Sequence, residues 1–296
     1  MNLTICYKFM ITKHNTSQHR PREIGLVENV SDTLQAVQKL SDESDTFSSY
    51  RGHGSISWGA KPSIFRQSKR ILSSEYIIVR DLVSRYPDYF LHDRTMFDRL
   101  VRMQHFGLPT RLMDVTSNPL VALYFAVTEC EEEDGSLIIY RISSERKKYY
   151  DSDSVSCVCN LANLKNSEKD ILQNTSATNI SDFHKLQPTD RLLQFIREEK
   201  PHFQPRIKKD DLSRPYYVVA KQNNSRIIAQ SGAFLAFGLK WEDQSAFSKE
   251  IASFALRIPK NSKKDIKREL SVIGIDSGTL FPEIDRAAAQ IIENYS

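Results

Sequence analysis

The run Gln104-His105-Phe106-Gly107-Leu108-Pro109-Thr110-Arg111-Leu112-Met113-Asp114-Val115-Thr116-Ser117-Asn118-Pro119 sets polar, chemically capable side chains against a turn and the start of a helix. Asn118 suits an N-cap, and Pro119 suits the first helical position, where a missing N–H costs nothing. Leu120, Val121, Leu123, Tyr124, Phe125 and Val127 then cover most of a helix circumference, which predicts a central, buried helix. A helix N-terminus favours anions. Asp114, Thr116 and Ser117, just ahead of it, suit hydrogen bonds to a sugar or an amide. The plainer reading of the same residues is helix capping plus one buried ion pair, Asp114 with Arg111.

Upstream, Val30, Leu34, Val37 and Leu40 fall at helical spacing, with Ser31 or Asp32 as cap. Phe47 to His53 reads as a short strand entering a glycine turn. Glu75 to Tyr86 reads as a helix ended by Pro87, and Asp93 to His105 as another. Downstream, Ser136 to Ile142 is a strand, and residues 143–188, rich in Ser, Asn, Asp and Lys, read as a polar surface insertion. Then come a helix from Thr189 to Glu199, a strand from Tyr216 to Ala220 and a short helix from Asn224 to Gln230 capped by Gly232. Strands Ala233 to Leu239 and Ser253 to Ile258 and helices Asp265 to Leu270 and Pro282 to Glu293 complete the chain. Helices crowd the first half and strands the second, which predicts α+β rather than regular βαβ alternation. Residues 1–26 read as an N-terminal arm, loosely held or ending in a short edge strand, and residues 27–296 as a single domain.

Composition narrows the classes further. The 296 residues are 40% apolar and 26% charged, which excludes a mainly disordered or collagen-like chain. Lys plus Arg minus Asp plus Glu is 41 − 37 = +4, a mild excess that permits a polyanionic partner without announcing one. Cys6, Cys130, Cys157 and Cys159 make no disulfide framework, and Cys157-x-Cys159 has the wrong spacing for a zinc knuckle, so no metal is expected. The apolar stretch from Ile5 to Ile11 is broken by Lys8 and lacks a cleavage site, and the longest apolar run, Pro119 to Val127, is too short for a bilayer. The expectation is a reduced, cytoplasmic protein without a membrane segment.

Two further stretches carry chemistry. Tyr50-Arg51-Gly52-His53, followed by Trp58 and Pro62-Ser63-Ile64-Phe65-Arg66, puts an arginine at a strand end beside a glycine. That arrangement suits close, bidentate contact with a phosphate, and its plainer reading is a surface arginine at a turn. Arg226 and Gln230 are four apart and share a helix face ahead of Ser231-Gly232-Ala233-Phe234. The neutral amide of Gln230 suits positioning a ligand, and its plainer reading is an ordinary amphipathic turn. Lys260, Lys263, Lys264, Lys267 and Arg268, with Arg206, Lys208 and Lys209, suit a nucleic-acid backbone, and Phe203, Tyr216, Tyr217 and Trp241 suit base stacking. The plainer reading of the charges is a solvated helix face.

Together these stretches resemble the FRG domain family, named for a Phe-Arg-Gly motif that appears here as Tyr50-Arg51-Gly52. The likeness runs through Glu75, the Gln104 to Ala126 block, Arg226–Gln230–Gly232–Phe234, Ile258-Pro259 and Leu280-Phe281-Pro282-Glu283-Ile284-Asp285. The order of elements also resembles the ADP-ribosyltransferase fold, a mixed sheet whose first strand carries an arginine. This second resemblance implies NAD as substrate, with Tyr50, Arg51, Gly52, His53, Gln104, His105, Arg111, Asp114, Thr116 and Ser117 around it. Arg51 would hold the phosphates or the adenosine side, Thr116 and Ser117 the nicotinamide ribose or the site itself, and Asp114 would orient Arg111 or a ribose hydroxyl. Gln230 or Glu283 would orient the nucleophile or stabilise the cation. Glu283 also suits the first turn of a helix begun by Pro282. FRG proteins resemble bacterial toxins and phage-defence effectors, which implies a toxin that transfers ADP-ribose to RNA and is held silent by an antitoxin. An NAD-depleting glycohydrolase and a non-catalytic nucleotide- or partner-binding module stay open beside it.

Overall fold

The computed structural model describes residues 21–40, 45–239 and 251–282. The strands are β1 (Arg22–Leu26), β2 (Thr46–His53), β3 (Leu112–Thr116), β4 (Gly135–Ser143), β5 (Lys147–Tyr149), β6 (Tyr216–Val219), β7 (Gly232–Ala236) and β8 (Ile251–Ile258). Helices α1 (Val30–Lys39), α2 (Lys69–Ser73), α3 (Glu75–Arg85), α4 (Met96–His105) and α5 (Pro119–Thr128) precede β4. After it come α6 (Asp153–Asn160), α7 (Asn166–Asn174), α8 (Ile180–His184), α9 (Gln187–Glu199), α10 (Lys209–Ser213), α11 (Ser225–Ala229), α12 (Lys263–Val272) and α13 (Ser277–Leu280).

The strands form one mixed sheet in the order β1-β8-β4-β2-β3-β7-β6-β5. The end pairs β1/β8 and β5/β6 are parallel, and the pairs between them are antiparallel. The fold is therefore α+β, the class expected from the sequence. The sheet has two halves. β2 pairs with β4 from Thr46↔Ser143 to His53↔Ser136, yet it shares with β3 the single pair Tyr50↔Thr116. Beyond that pair the central strands separate, and the seam between the halves opens.

Strand alternation sorts the side chains over this seam. Tyr50, Leu137, Ile139 and Leu256 pack under α5, α1 and α12. Leu112, Phe234, Tyr216 and Val218 pack under α4 and α6. On the opposite face, Met113, Val115, Ile138, Tyr140 and Leu235 pack beneath Ala60, Ile64 and Phe65. Helix α5 is buried on nearly all sides, from Val121 to Val127, because it carries no charged residue. Gly52 lets it lie that close: a Cβ there would stand 1.9 Å from the Ala122 carbonyl oxygen and 2.6 Å from the Ala126 nitrogen.

Several expectations are corrected. Residues 143–188 are not a surface excursion. Cys157, Leu161, Leu164, Leu172 and Phe183 form a fourth core with Leu192, Ile196 and Leu212, and the polar residues that dominate the composition lie on the outer faces of the same helices. Among the described residues the strands are divided evenly, β1 to β4 up to Ser143 and β5 to β8 after it, rather than gathered in the second half. The α1 cap is Asn29, whose side chain accepts from the Asp32 nitrogen, not Ser31 or Asp32. After α11 the left-handed turn falls on Ser231, at φ 47°, not on Gly232, which already begins β7. Residues 22–26 of the proposed arm form the edge strand β1. The proposed helix from Pro282 to Glu293 lies outside the described residues apart from Pro282.

Candidate functional site at the sheet seam

The signature run folds into a helix end, a turn and a strand. Gly107, at φ 83°, ends α4, and the Leu108 and Gly107 nitrogens donate back to the Met103 and Gln104 carbonyls, each at 2.9 Å. This turn delivers Thr110 beside Gln104. The Thr110 hydroxyl donates to Gln104 Oε1 at 2.5 Å, and Gln104 Nε2 donates to Asp114 Oδ2 at 2.6 Å. The Pro62–Arg66 motif is fastened to the same point, because the Thr110 nitrogen donates to Ser63 Oγ and the Ile64 nitrogen to the Thr110 carbonyl. Asp114 is thus held from behind by an amide while its carboxylate faces solvent, 65% exposed.

Arg51 reaches across the seam from β2. Its Nη1 donates to the Asp114 carbonyl at 2.5 Å, and the Asp114 carboxylate stands 4.0 Å away. Its Nε donates to His53 Nε2 at 3.1 Å, which requires that nitrogen to be unprotonated. Burial first, then the charges of Arg51 and Arg66, push the His53 pKa down to about 3, so the ring is neutral at pH 7. The Arg51 Nη2 group has no protein partner among the described residues. Its guanidinium is oriented from two sides and keeps donors for an anion. Desolvation and then the Arg51 charge lower the pKa of Arg66, while Asp114 acts the other way. Desolvation raises the pKa of Glu129, against the pull of Arg51 and Lys263. Arg66 and Glu129 are therefore further charges of this site. The motif Pro62–Arg66 signals Arg66, whereas nothing in the sequence distinguishes Glu129 from its acidic neighbours.

The other expected site residues divide. Tyr50 is buried under α5, and Gly52 serves the close approach described above. The Thr116 hydroxyl donates to the Gln230 carbonyl at 2.7 Å and accepts from the Asn118 nitrogen at 3.0 Å. Ser117 reaches the Ser231 carbonyl, through its nitrogen at 3.1 Å and its hydroxyl at 3.4 Å. These two residues tie β3 to the α11–β7 turn, so they brace the site. Gln230 Nε2 donates to the Leu280 carbonyl at 3.0 Å, and Arg226 lies over the Phe281 ring at 5.0 Å, so the two do share one side, facing the chain after α13. His105 lines a small recess with Arg102, Asp93 and Asn224. Glu283 lies outside the described residues.

Arg111 is the clearest correction. It lies three positions from Asp114, so alternation sends the two side chains to opposite faces. Arg111 is 2% exposed and donates to both Glu75 oxygens, at 3.0 and 2.6 Å, and to the Phe237 carbonyl at 3.0 Å. Lys169 of α7 donates to the same Glu75 at 2.5 Å. Burial favours a protonated Glu75, but the Arg111 and Lys169 charges overcome it and hold the pKa down to about 2. Arg111 is a core residue, not a ligand contact. The sequence likeness runs through Glu75, but its pairing with Arg111 is not found by reading the signature, nor is Lys169, because these partners are distant in sequence.

The expected nucleic-acid surface also changes. Lys263 is buried, with Nζ donating to the Gly54, Glu129 and Cys130 carbonyls at 2.7 to 2.9 Å. Tyr216 and Tyr217 are core residues, Phe203 packs against the fourth core, and Trp241 lies outside the described residues. Lys260, Lys264 and Arg268 are exposed. Among the described residues no group of acidic, His and Cys side chains could hold a metal ion, and no helix is long and apolar enough to cross a membrane.

No curated protein and no solved structure matches the chain. A family model does match, over residues 47–135, the stretch that supplies Arg51, His53, Gln104, Arg111 and Asp114. The family that the model describes is the FRG domain, and residues 47–135 match it.

Proposed function

We propose that the chain is an NAD-dependent ADP-ribosyltransferase whose site is the seam between β2 and β3. One observation carries this reading: Arg51 is fixed across the seam by His53 and the Asp114 carbonyl, and its Nη2 donors have no partner among the described residues. A guanidinium held in this way suits the pyrophosphate of a dinucleotide. The exposed Asp114 carboxylate, anchored by Gln104, suits a ribose hydroxyl on the other side of the seam. Thr116 and Ser117 fix the strand end at which nicotinamide and its ribose would lie. In the reaction the C–N bond between ribose and nicotinamide breaks, and its electron pair leaves with neutral nicotinamide. A nucleophile on the acceptor bonds the ribose carbon and loses its proton. Because the leaving group departs from a cation, the site needs positioning and charge stabilisation more than a strong acid.

RNA is the proposed acceptor, supported by the exposed Lys260 and Lys264 and no longer by Lys263 or by Tyr216 and Tyr217. In a cell such an enzyme acts as a toxin, held silent by an antitoxin partner; the FRG resemblance supports that setting. The test uses NAD labelled in its adenylate half, with RNA, DNA and protein offered together to wild type and Arg51→Ala. Label on RNA that is lost in the variant is the expected result. Label on protein alone overturns the acceptor, and loss of NAD without any labelled acceptor makes the chain a glycohydrolase. Folded wild type that releases no nicotinamide overturns the enzymatic reading in favour of a binding module.

A further inference from the structure

Aromatic side chains that face solvent in contact with one another form a surface ladder at the end of α3 and of α4. Tyr86 and Tyr89 meet edge to face at 6.3 Å, Tyr89 meets Phe106 at 5.4 Å, and Phe106 meets His105 at 5.3 Å. Tyr86 is 55% exposed, Tyr89 56% and Phe106 45%. The 3₁₀ turn Pro87–Phe90 explains the arrangement, because it buries Phe90 in the core and turns Tyr86 and Tyr89 outward. Apolar rings of this size are seldom left in water together without a partner. Phe106 and His105 directly follow Gln104, the residue that anchors Asp114, so the ladder and the proposed site are linked through the end of α4.

Charge says which partner fits. Arg85, Arg94 and Arg99 are exposed and carry no side-chain hydrogen bond or ion pair among the described residues. Arg85 adjoins Tyr86 in sequence. Arg99 lies seven residues before Phe106, two helical turns along the same face of α4. Arg102, between them, is occupied by Asp93 through bonds of 2.7 and 2.8 Å. Asp88, in the turn itself, is the acidic residue of the ladder and is also exposed. Three guanidinium groups without a side-chain partner, in the same stretch of chain as the exposed rings and set against the exposed carboxylates of Asp81 and Asp88, match the chemistry that holds a single-stranded nucleic acid: cations along the phosphates and ring faces under the bases. A neutral or basic protein surface would answer the rings but not the charge.

We infer that the Tyr86–Tyr89–Phe106 ladder is the docking surface for a single-stranded RNA acceptor. The assignment rests on RNA being the acceptor of the proposed reaction, and it gives that acceptor a place on the molecule. The probe is a fluorescent single-stranded RNA of mixed sequence, with its duplex as control, titrated against the full chain at two salt concentrations. Wild type binds the single strand better than the duplex and loses affinity with salt. The double variant Tyr86→Ala/Tyr89→Ala binds roughly tenfold more weakly or worse. Because both side chains are exposed, the variant keeps its thermal unfolding and its release of nicotinamide from NAD. RNA binding equal in wild type and variant overturns the inference, as does wild type that binds no RNA. Transfer of label to a protein acceptor that the double variant loses also overturns it, making the ladder a protein-docking surface. Ladder-dependent RNA binding without nicotinamide release upholds the surface and removes only the enzymatic reading.

Discussion

Arg51 and Arg111 belong to the same domain, and the same sequence logic nominates both as ligand contacts. The structure puts them in opposite regimes. Arg111 is enclosed, and its donors go to Glu75 and the Phe237 carbonyl. Arg51 stands where two strands part, held by two acceptors with donors to spare. The difference comes from sheet register. Arg111 immediately precedes a strand paired along its length with β7, whereas Arg51 lies one residue past the last pair that β2 makes with β3. A guanidinium in a closed sheet becomes part of the core, and one at an opening becomes available to a ligand.

The sharpest way to break the comparison is to leave Arg111 without its partner. Glu75→Gln strands a buried guanidinium and an ammonium, and denaturant titration should show a loss of about 3–5 kcal/mol. Gly52→Ala comes next. Its Cβ collides with α5 backbone, and the cost should be about 1–3 kcal/mol or more, with Arg51 displaced along with β2. Arg51→Ala should cost only about 1 kcal/mol, since the acceptors it leaves lie at an opening that water can reach.

Acid separates the two regions by pH window. His53 is depressed, so the unfolded chain takes up a proton that the folded one refuses. Stability should therefore fall as pH drops from 6.5 toward about 3. Glu75 is also depressed, and its contribution is lost between its ordinary 4.5 and about 2. In stability measured against pH, His53→Gln should flatten the upper limb and Glu75→Gln the lower one. If neither limb changes, these groups do not control acid unfolding.

Local signals were legible where they acted locally. Asn118-Pro119 starts α5, Pro87 follows α3, and apolar saturation of α5 predicts its burial, because caps and periodicity are properties of neighbouring residues. The seam was not legible, since it depends on how far β2 and β3 stay paired, and their pairing is set by packing across the whole sheet. Residues 143–188 misled for a related reason. Composition averages over faces, and a few well-placed residues such as Leu161, Leu172 and Phe183 make a core within a polar stretch. The place of Arg51 on a strand beside a turn could be read, because Gly52 and the strand end mark it. Arg111 was misassigned because its nearest acid in sequence, Asp114, lies on the opposite face of the strand.

The most direct test is nicotinamide release from NAD by wild type, Arg51→Ala and Arg51→Lys, each shown to be folded. Wild type should release nicotinamide, Arg51→Ala should lose that activity, and Arg51→Lys should recover little of it, since an ammonium keeps the charge but not the planar fork. Release by Arg51→Ala at the wild-type rate would contradict the account, because the arginine held across the seam would then have no part in the reaction.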